Sequence, residues 1–233
     1  MNGYGQYCPL AIASEVLGER WTLLVLRELI LGSTRFNAIH RGVPRMSPSL
    51  LSARLKMLER AGIIRREPEG DHVAYHLTEA GAAIAPAVES LAVWSREWLP
   101  ATLSEARADP DLVMWDMHRR MDTAKLPASR TVIRFEFDDQ PEIKRLRWII
   151  ADRSDVDLCI TDPGFDVDLY VTASSRTVTL VWYGDLPLSQ AIREGLIRLH
   201  GPPALCNAFP SWLRLSLLAG IPRKRQAAPL TAG

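Results

Sequence analysis

The chain has 233 residues, of which 47% are hydrophobic and 24% charged, and its formal net charge at pH 7 is +1. This composition is that of an ordinary globular protein and excludes a disordered or fibrous chain. The longest apolar stretch, residues 23–31, is interrupted by Arg27 and Glu28, so it falls short of the roughly 18 apolar residues of a membrane span. Because the first residues lack a basic segment followed by an apolar core, we expect a cytoplasmic protein with no membrane partner.

The length is sufficient for two domains, each with its own core. Between Pro100 and Pro110 the sequence is rich in alanine and proline, which is typical of a domain boundary. The last residues combine a basic run with alanine, proline and glycine, a composition that favours disorder. We therefore predict a first domain over residues 1–100, a second over 101–220 and a disordered tail over 221–233.

Motifs for catalysis or metal binding are missing from the sequence. Cys8, Cys159 and Cys206 are odd in number and widely spaced, which fits neither a disulfide framework nor a CxxC metal site. The histidines are scattered, without HExxH spacing, and the sequence contains no GxSxG motif and no phosphate-binding glycine loop. We therefore expect reduced thiols, no metal, no cofactor and no enzymatic activity.

The first half of the chain contains a strongly basic segment. Between Ser33 and Arg66 there are eight arginine and lysine residues against Glu59 alone, a net charge of +7. A neutral protein with one basic module is typical of a specific DNA-binding protein, because only its docking face has to neutralise phosphates. A solvated helix face is the alternative interpretation of the same pattern.

Helical patterns dominate the first sixty residues. Apolar spacing predicts helices over residues 10–17 and 21–31, and a short helix from Ser33 or Thr34 to about Arg41. A further helix is predicted over residues 49–61, with Ser47 as its N-cap and Pro48 in its first turn. On this helix Leu51, Leu55 and Leu58 recur at the spacing of a buried stripe.

The hydrophobic period then changes from about 3.6 to 2 residues. Residues 63–67 and 73–77 are predicted to be strands joined by a loop over 68–72, and residues 78–99 are predicted to form one more helix. Helix, short helix, helix and hairpin in this order make a winged helix-turn-helix, whose recognition helix would be 49–61. On the last helix Ile84, Val88, Leu91 and Trp98 form a seam that fits a dimer contact or intramolecular packing equally well.

The solvent face of the predicted recognition helix supplies the candidate base contacts, Ser49, Ser52, Ala53 and Lys56. The helix N-terminus and nearby arginines are better placed for phosphates, which position the protein without specifying sequence. Arg54 lies at the edge of the buried stripe, where an ion pair with a neighbouring helix and a phosphate contact are equally plausible. The complete set of predicted DNA contacts is Arg35, Arg41, Arg45, Ser47, Ser49, Ser52, Ala53, Arg54, Lys56, Arg60 and His72.

Five sequence blocks in this domain resemble successive blocks of the HxlR family of regulators. They are Cys8-Pro9, residues 18–29 (GERWTLLVLREL), 35–39 (RFNAI), 47–64 (SPSLLSARLKMLERAGII) and 75–81 (YHLTEAG). The resemblance implies a homodimer, built from the N-terminal helix and the helix after the wing, that binds repeated sites on double-stranded DNA. In such a dimer we expect recognition helices about 34–36 Å apart, or a multiple of that distance.

Two features of the chain qualify this resemblance. Wings of such proteins commonly offer a basic residue to DNA, whereas here Glu67, Glu69 and Asp71 surround the turn and leave His72 as the only residue of the turn that can carry a positive charge. Some HxlR-type proteins use a cysteine at the corresponding position as a redox or electrophile sensor, so the resemblance offers this role for Cys8. A small packed residue at the dimer edge is the alternative role for Cys8.

The second domain is predicted to be rich in strands. Alternation of apolar and polar residues predicts strands over 132–137, 165–171 and 177–182, and a hairpin over 145–151 and 156–161. A helix near 188–194, a strand over 196–200 and a helix near 203–212 complete the domain. The predicted fold class of the chain is therefore α+β, with an N-terminal winged helix-turn-helix followed by an α+β domain.

Residues from about Asp116 to Ser216 resemble the sterol carrier protein type 2 fold, in which a sheet and helices enclose an apolar tunnel. The segments that carry the resemblance are 162–172 (DPGFDVDLYVT), 182–186 (WYGDL), Ala191-Ile192 with Gly195, and 198–201 (RLHG). It implies an apolar small molecule as effector. The candidate ligand contacts are Trp148, Trp182, Ile192 and Leu196, for which a place in the plain hydrophobic core is the alternative.

These patterns together predict a sequence-specific, DNA-binding transcriptional regulator that acts as a homodimer and responds to an apolar small molecule or to thiol redox chemistry. The alternative is a carrier or sensor of lipids or other apolar ligands, whose winged helix mediates protein contacts. The carrier would bind ligand without salt-dependent affinity for DNA, and the basic segment argues against it.

Overall fold

The computed structural model of the protein describes residues 3–99 and 108–224. The chain is of mixed α+β class and divides into two compact units, Met1–Trp94 and Ser95–Gly233. The predicted boundary after residue 100 lies beside residues 100–107, which are outside the described part of the chain. Within the described ranges, no helix has the length and apolar character needed to cross a membrane.

Four helices open the first unit, and the sequence predicted each of them. Ser47 caps the fourth helix, since its hydroxyl accepts a hydrogen bond from the Leu50 amide at 3.3 Å. Trp21, immediately before the second helix, has a φ of 78°, which is unusual for a residue with a side chain. The helices are α1 (Pro9–Leu17), α2 (Thr22–Ile30), α3 (Phe36–Gly42) and α4 (Pro48–Arg60).

An antiparallel hairpin follows, formed by β1 (Ile64–Glu69) and β2 (His72–Leu77). The predicted loop over 68–72 was too long, because the strands continue to a tight turn at Gly70 and Asp71. Gly70 has a φ of 58°, a left-handed conformation that glycine adopts without strain. The opposite edge of β2 is also occupied, since the Tyr75 amide donates to the Thr34 carbonyl at 2.8 Å.

The helix predicted over residues 78–99 is two helices, α5 (Glu79–Ala83) and α6 (Ala85–Trp98), separated at Ile84. Thr78 caps α5 by accepting from the Gly81 amide. The single-helix prediction was wrong because Pro86 has no amide to donate and its ring disfavours a continuous helix through this turn. Ile84 packs against the core of the first unit.

The core of the first unit lies between α2, α3, α4 and the hairpin. Leu51, Leu55 and Leu58 are at most 1% exposed, which confirms the predicted buried stripe of α4. Val25, Leu26 and Ile39 face them from the other helices and are fully buried. Packing of this kind fixes the orientation of α4 relative to the rest of its unit.

The second unit is built on a five-stranded sheet with the strand order β5-β4-β3-β6-β7. The central pair β3 and β6 is parallel and the other neighbours are antiparallel. Phe135 on the central strand packs against Phe209, with ring centroids 6.2 Å apart. The elements are α7 (Pro110–His118), β3 (Thr131–Phe137), α8 (Glu142–Arg145), β4 (Leu146–Ala151), β5 (Val156–Cys159), β6 (Leu169–Ala173), α9 (Ser175–Trp182), α10 (Leu188–Arg193), β7 (Ile197–His200) and α11 (Pro203–Trp212).

Two strand predictions in the second unit need correction. Residues 177–182 belong to α9, because Ser174 caps a helix there and Asp139 accepts from the Ser175 amide at 2.7 Å. The β-branched residues of this segment are compatible with a strand or a helix, and the hydrogen bonds that cap its N-terminus favour the helix. Residues 165–168 precede β6 without being part of it, and α7 and α8 were not predicted at all.

The tail predicted to be disordered from residue 221 is held at its start. Lys224 donates from its amide to the Glu97 carbonyl at 2.8 Å, and its ammonium group pairs with the Glu97 carboxylate at 2.8 Å. Arg223 pairs with Asp185 at 3.2 Å. The prediction was therefore wrong for residues 221–224, and residues 225–233 lie outside the described part of the chain.

Candidate DNA-binding surface

The connection between α3 and α4 is fixed from inside. Val43 and Met46 in this connection are 2% and 1% exposed, and Ile39 on α3 is fully buried. His40 donates from Nε2 to the Met46 carbonyl at 2.8 Å, which closes the turn. The two helices therefore form a rigid helix-turn-helix in which α4 is the second helix.

A buried acidic residue joins α2 to α3. Glu28 has no exposed surface, and its carboxylate accepts hydrogen bonds from Arg27 at 2.7 Å and from Ser33 at 3.3 Å. Arg27 also donates to the Gly42 carbonyl, the last of α3, at 2.9 Å. A buried carboxylate is stable only with such partners, so this network fixes the first helix of the helix-turn-helix against α2.

The exposed face of α4 carries most of the predicted base contacts. Ser49, Ala53, Lys56 and Arg60 are exposed, and Ser52 is half-buried. Leu50, in the first turn, is 38% exposed although it is apolar. Leu50 is not among the predicted contacts, because the predicted solvent face of α4 contained only polar or small residues.

Arg54 is held by the protein itself. Its guanidinium pairs with Glu19 at 3.2 Å and donates to the Arg20 carbonyl at 3.4 Å, and its side chain is only 11% exposed. Of the two alternatives that the sequence left open, the structure therefore contains an ion pair, made with the turn between α1 and α2. The middle of α4 is tethered to this turn.

The other predicted phosphate contacts lie before α4. Arg35 is the N-cap of α3 and forms an ion pair of 3.7 Å with Glu69, and both side chains are more than half exposed. Arg41 lies in the last turn of α3 and Arg45 in the connection to α4, and both are exposed. These three arginines belong to the same helix-turn-helix segment as the exposed face of α4.

The wing carries charges of both signs. Arg65 pairs with Glu67 at 2.6 Å, and His72 is exposed at the start of β2. Arg66, also on β1, is exposed and is not among the predicted contacts, which on the wing included only His72. A cation other than His72 is therefore present on the hairpin, although not in the turn itself.

Cys8 occupies the N-cap position of α1 and is exposed. Large apolar side chains are exposed around it, among them Tyr7 at 98% and Leu10 at 74%. The predicted apolar seam of residues 84–98 is only partly covered. Ile84, just before α6, packs on the core, while Leu91 on α6 is 51% exposed. Apolar surface is therefore uncovered on both α1 and α6.

The four candidate ligand contacts in the second unit differ in burial. Trp148 and Trp182 are each 5% exposed, Ile192 is half-buried and Leu196 is 43% exposed. Trp148 alternates on β4 with Arg147, which pairs with Asp111 of α7 at 2.6 Å. Because side chains alternate along a strand, Trp148 lies on the sheet face away from α7, whereas Trp182 belongs to α9, which packs against α7. The structure therefore does not place all four residues in one lining.

The known proteins that resemble this chain match it over about its first hundred residues. The HxlR-like helix-turn-helix family matches residues 16–103. The HTH-type transcriptional regulator YvaP of Bacillus subtilis is 37% identical over 98 residues, covering 40% of this chain and 91% of YvaP. The HTH-type transcriptional regulator YodB of the same organism is 35% identical over 95 residues, covering 39% of this chain and 85% of YodB.

Two solved structures match this chain over about the same share of its length. The reduced form of YodB from B. subtilis is 32% identical with a TM-score of 0.35, covering 39% of this chain and 92% of that chain. The redox regulator HypR in its oxidized form is 32% identical with a TM-score of 0.36, covering 38% of this chain and 94% of that chain.

Proposed function

Because this chain belongs to the HxlR-like helix-turn-helix family, we propose that it is a transcriptional regulator that binds specific double-stranded DNA sites as a homodimer. The observation that carries the proposal is the geometry of α4. Its inner face is locked into the core by Leu51, Leu55 and Leu58, and its outer face is exposed in a segment of high positive charge. A rigid, exposed helix about 10–12 Å across matches the width of the major groove.

In the proposed complex, α4 contacts base edges from its N-terminal half while basic residues bind the flanking phosphates. Arg54 acts through its tether to Glu19 rather than on DNA, and Ser47 acts through its cap of α4. Base contacts are made by Ser49, Ser52, Ala53 and Lys56, and phosphate contacts by Arg35, Arg41, Arg45, Arg60 and, on the wing, His72 with Arg66.

Dimerisation is supported by the uncovered apolar side chains of α1 and α6. Leu10 and Ile12 on α1 are 74% and 55% exposed, and Leu91 and Trp94 on α6 are 51% and 52% exposed. Burying such residues against a second copy removes apolar surface from water, which is the main driving force of association. A twofold dimer then presents two α4 helices to a repeated DNA site.

Regulation through Cys8 is supported by its exposure at the N-terminus of α1, one of the proposed dimer helices. HypR, a similar protein, is described as a redox regulator. Oxidation or alkylation of the Cys8 thiol would add bulk or polarity at the dimer contact and so change the affinity for DNA, provided that the two states bind DNA differently.

The second unit is proposed to bind an apolar small molecule in a sterol-carrier-like fold. Its mixed five-stranded sheet and the buried Trp182 support this assignment, whereas Trp148 lies on the other face of the sheet and is not among the proposed contacts. Ile192 and Leu196 lie on α10 and just before β7, respectively, and are the other proposed contacts.

The test is DNA binding by the full chain across a salt series, with duplexes from the region upstream of its own gene. A specific site is expected, with log affinity falling steeply against log salt. Arg45→Ala should weaken binding to all sequences and reduce the slope by about 0.9, as for one lost phosphate contact. Lys56→Ala should in addition reduce the preference for the specific site.

Lys125→Ala is the matched control, because it removes one positive charge from an exposed residue of the second unit. It should leave both affinity and slope unchanged. Weak, sequence-independent binding by the reduced and the oxidised protein would overturn the proposed function, and uptake of apolar ligands by such a protein would favour the carrier.

A further inference from the structure

The exposed N-terminal half of α4 has an unusual composition for a recognition helix. Its exposed side chains in the first two turns are Pro48, Ser49, Leu50 and Ala53, which are short or apolar. The whole helix contains no asparagine, glutamine or aspartate. The one arginine of its first two turns, Arg54, is occupied by Glu19 and is only 11% exposed.

This composition limits how the helix distinguishes bases. The strongest base contacts in the major groove are bidentate, from arginine or lysine to guanine or from asparagine or glutamine to adenine. None of these is available in the first two turns of α4. The Ser49 hydroxyl is 3.2 Å from the Ser47 hydroxyl, which itself accepts from the Leu50 amide, so it is already part of the capping network.

An apolar contact remains. Thymine is the one standard base that presents a methyl group, at C5, in the major groove. Leu50 and Ala53 are three residues apart and therefore neighbours on one face of α4. We infer that Leu50 and Ala53 recognise thymine through its C5 methyl group and so add to the sequence specificity that Lys56 provides further along α4; this inference rests on the proposed function.

The charge around the two residues favours DNA over a protein partner. Lys56 and Arg60 are exposed further along α4, and Arg41 and Arg45 are exposed just before it. An apolar pair of side chains in a segment that carries these four exposed cations matches a thymine methyl on a backbone of phosphates. Leu50 is 38% exposed in the free protein, and a methyl group placed against it would cover this surface.

The experiment is a methyl-deletion scan of the specific DNA site. Each thymine of one half-site is replaced in turn by deoxyuridine, which keeps Watson–Crick pairing and removes only the C5 methyl group. One or two positions should lose affinity by about fourfold each, the value of one buried methyl group. Leu50→Ala should bind the unmodified site more weakly and lose its sensitivity to deoxyuridine at one of these positions.

Leu31→Ala is the matched control, since Leu31 is a leucine of similar exposure, 41%, at the end of α2. It should retain both the affinity and the pattern of the scan. Specific binding by the wild type with equal affinity for thymine and deoxyuridine at every position would overturn this inference alone. Dissociation of Leu50→Ala into monomers would also overturn it, by assigning Leu50 to a protein contact, whereas absence of specific binding would overturn the proposed function itself.

Discussion

The backbone of Gly42 lies directly against the buried carboxylate of Glu28. A Cβ atom at position 42 would overlap both carboxylate oxygens and the carbon between them. The carboxylate is fixed by Arg27 and Ser33, so it is not the flexible end of a mobile side chain. The close approach of α3 to α2 therefore requires glycine at this position.

Gly42→Ala should lower the free energy of unfolding of the first unit by about 2 kcal/mol, because overpacking forces buried atoms apart. Urea unfolding followed by far-ultraviolet circular dichroism measures the change. Gly220→Ala is the control, since a Cβ there meets no atom within 4 Å. Equal urea midpoints for the two variants would show that α2 and α3 move apart to accommodate the Cβ atom without a loss of stability.

The tether between Arg54 and Glu19 predicts a specific effect on DNA binding. Glu19→Gln removes the charge that holds Arg54 and should weaken specific binding severalfold, because α4 loses its anchor on the turn that contains the strained Trp21. Fluorescence anisotropy with a labelled operator measures it. If Arg54 contacted a phosphate instead, Glu19→Gln would release it toward DNA, and the affinity would rise.

The exposed seam of α6 predicts the effect of a charge on assembly. Leu91→Arg should convert the proposed dimer to a monomer, since Leu91 is 51% exposed in the single chain and burial of an unpaired arginine is unfavourable. Sedimentation velocity gives the mass directly. Ile143→Arg, at a side chain 85% exposed on α8, should remain dimeric, and a dimeric Leu91→Arg would place the interface elsewhere.

A buried histidine predicts acid sensitivity of the second unit. Burial lowers the pKa of His118 from 6.5 to about 4, so in the folded protein it is neutral at pH values where the unfolded chain binds a proton. The free energy of unfolding should therefore fall as the pH is lowered from about 6.5 to 4, by about 3 kcal/mol in total. Chemical denaturation at several pH values measures this slope.

His118→Gln should flatten that slope between pH 6.5 and 5, whatever its effect at neutral pH. His72→Gln, which changes an exposed histidine of the wing, should keep the wild-type slope. A slope that is the same in His118→Gln and in the wild type would assign the acid sensitivity to other groups.

The first unit could be predicted from sequence because local signals and tertiary packing agree there. Ser47 and Pro48 mark the start of α4, and Leu51, Leu55 and Leu58 define its buried side, as the structure confirms. Prediction failed where the backbone property of a single residue determines where an element begins or ends. Pro86 breaks a pattern that otherwise looks continuous, and Gly70 permits a turn tighter than the polar sequence around it suggests.

Long-range partners could not be predicted at all. The charge of Arg54 was visible in the sequence, but its partner Glu19 is 35 residues away. The α9 segment alternates as a strand does, and the carboxylate that caps it belongs to Asp139, 36 residues earlier. Leu50 received no role from the sequence, because it belongs neither to the buried stripe of Leu51, Leu55 and Leu58 nor to the polar and small residues of the opposite face.

The start of α4 also affects how the affinity for DNA would depend on salt concentration. Pro48 offers no amide, and the Leu50 amide is satisfied by the Ser47 hydroxyl, so Ser49 is the remaining first-turn donor for a phosphate. Backbone anchoring of DNA at this helix is therefore minimal. The number of counterions released on binding would then equal, to a first approximation, the number of cationic side chains that contact phosphates. Replacement of any one of these arginines would therefore shift the salt concentration up to which the operator is occupied.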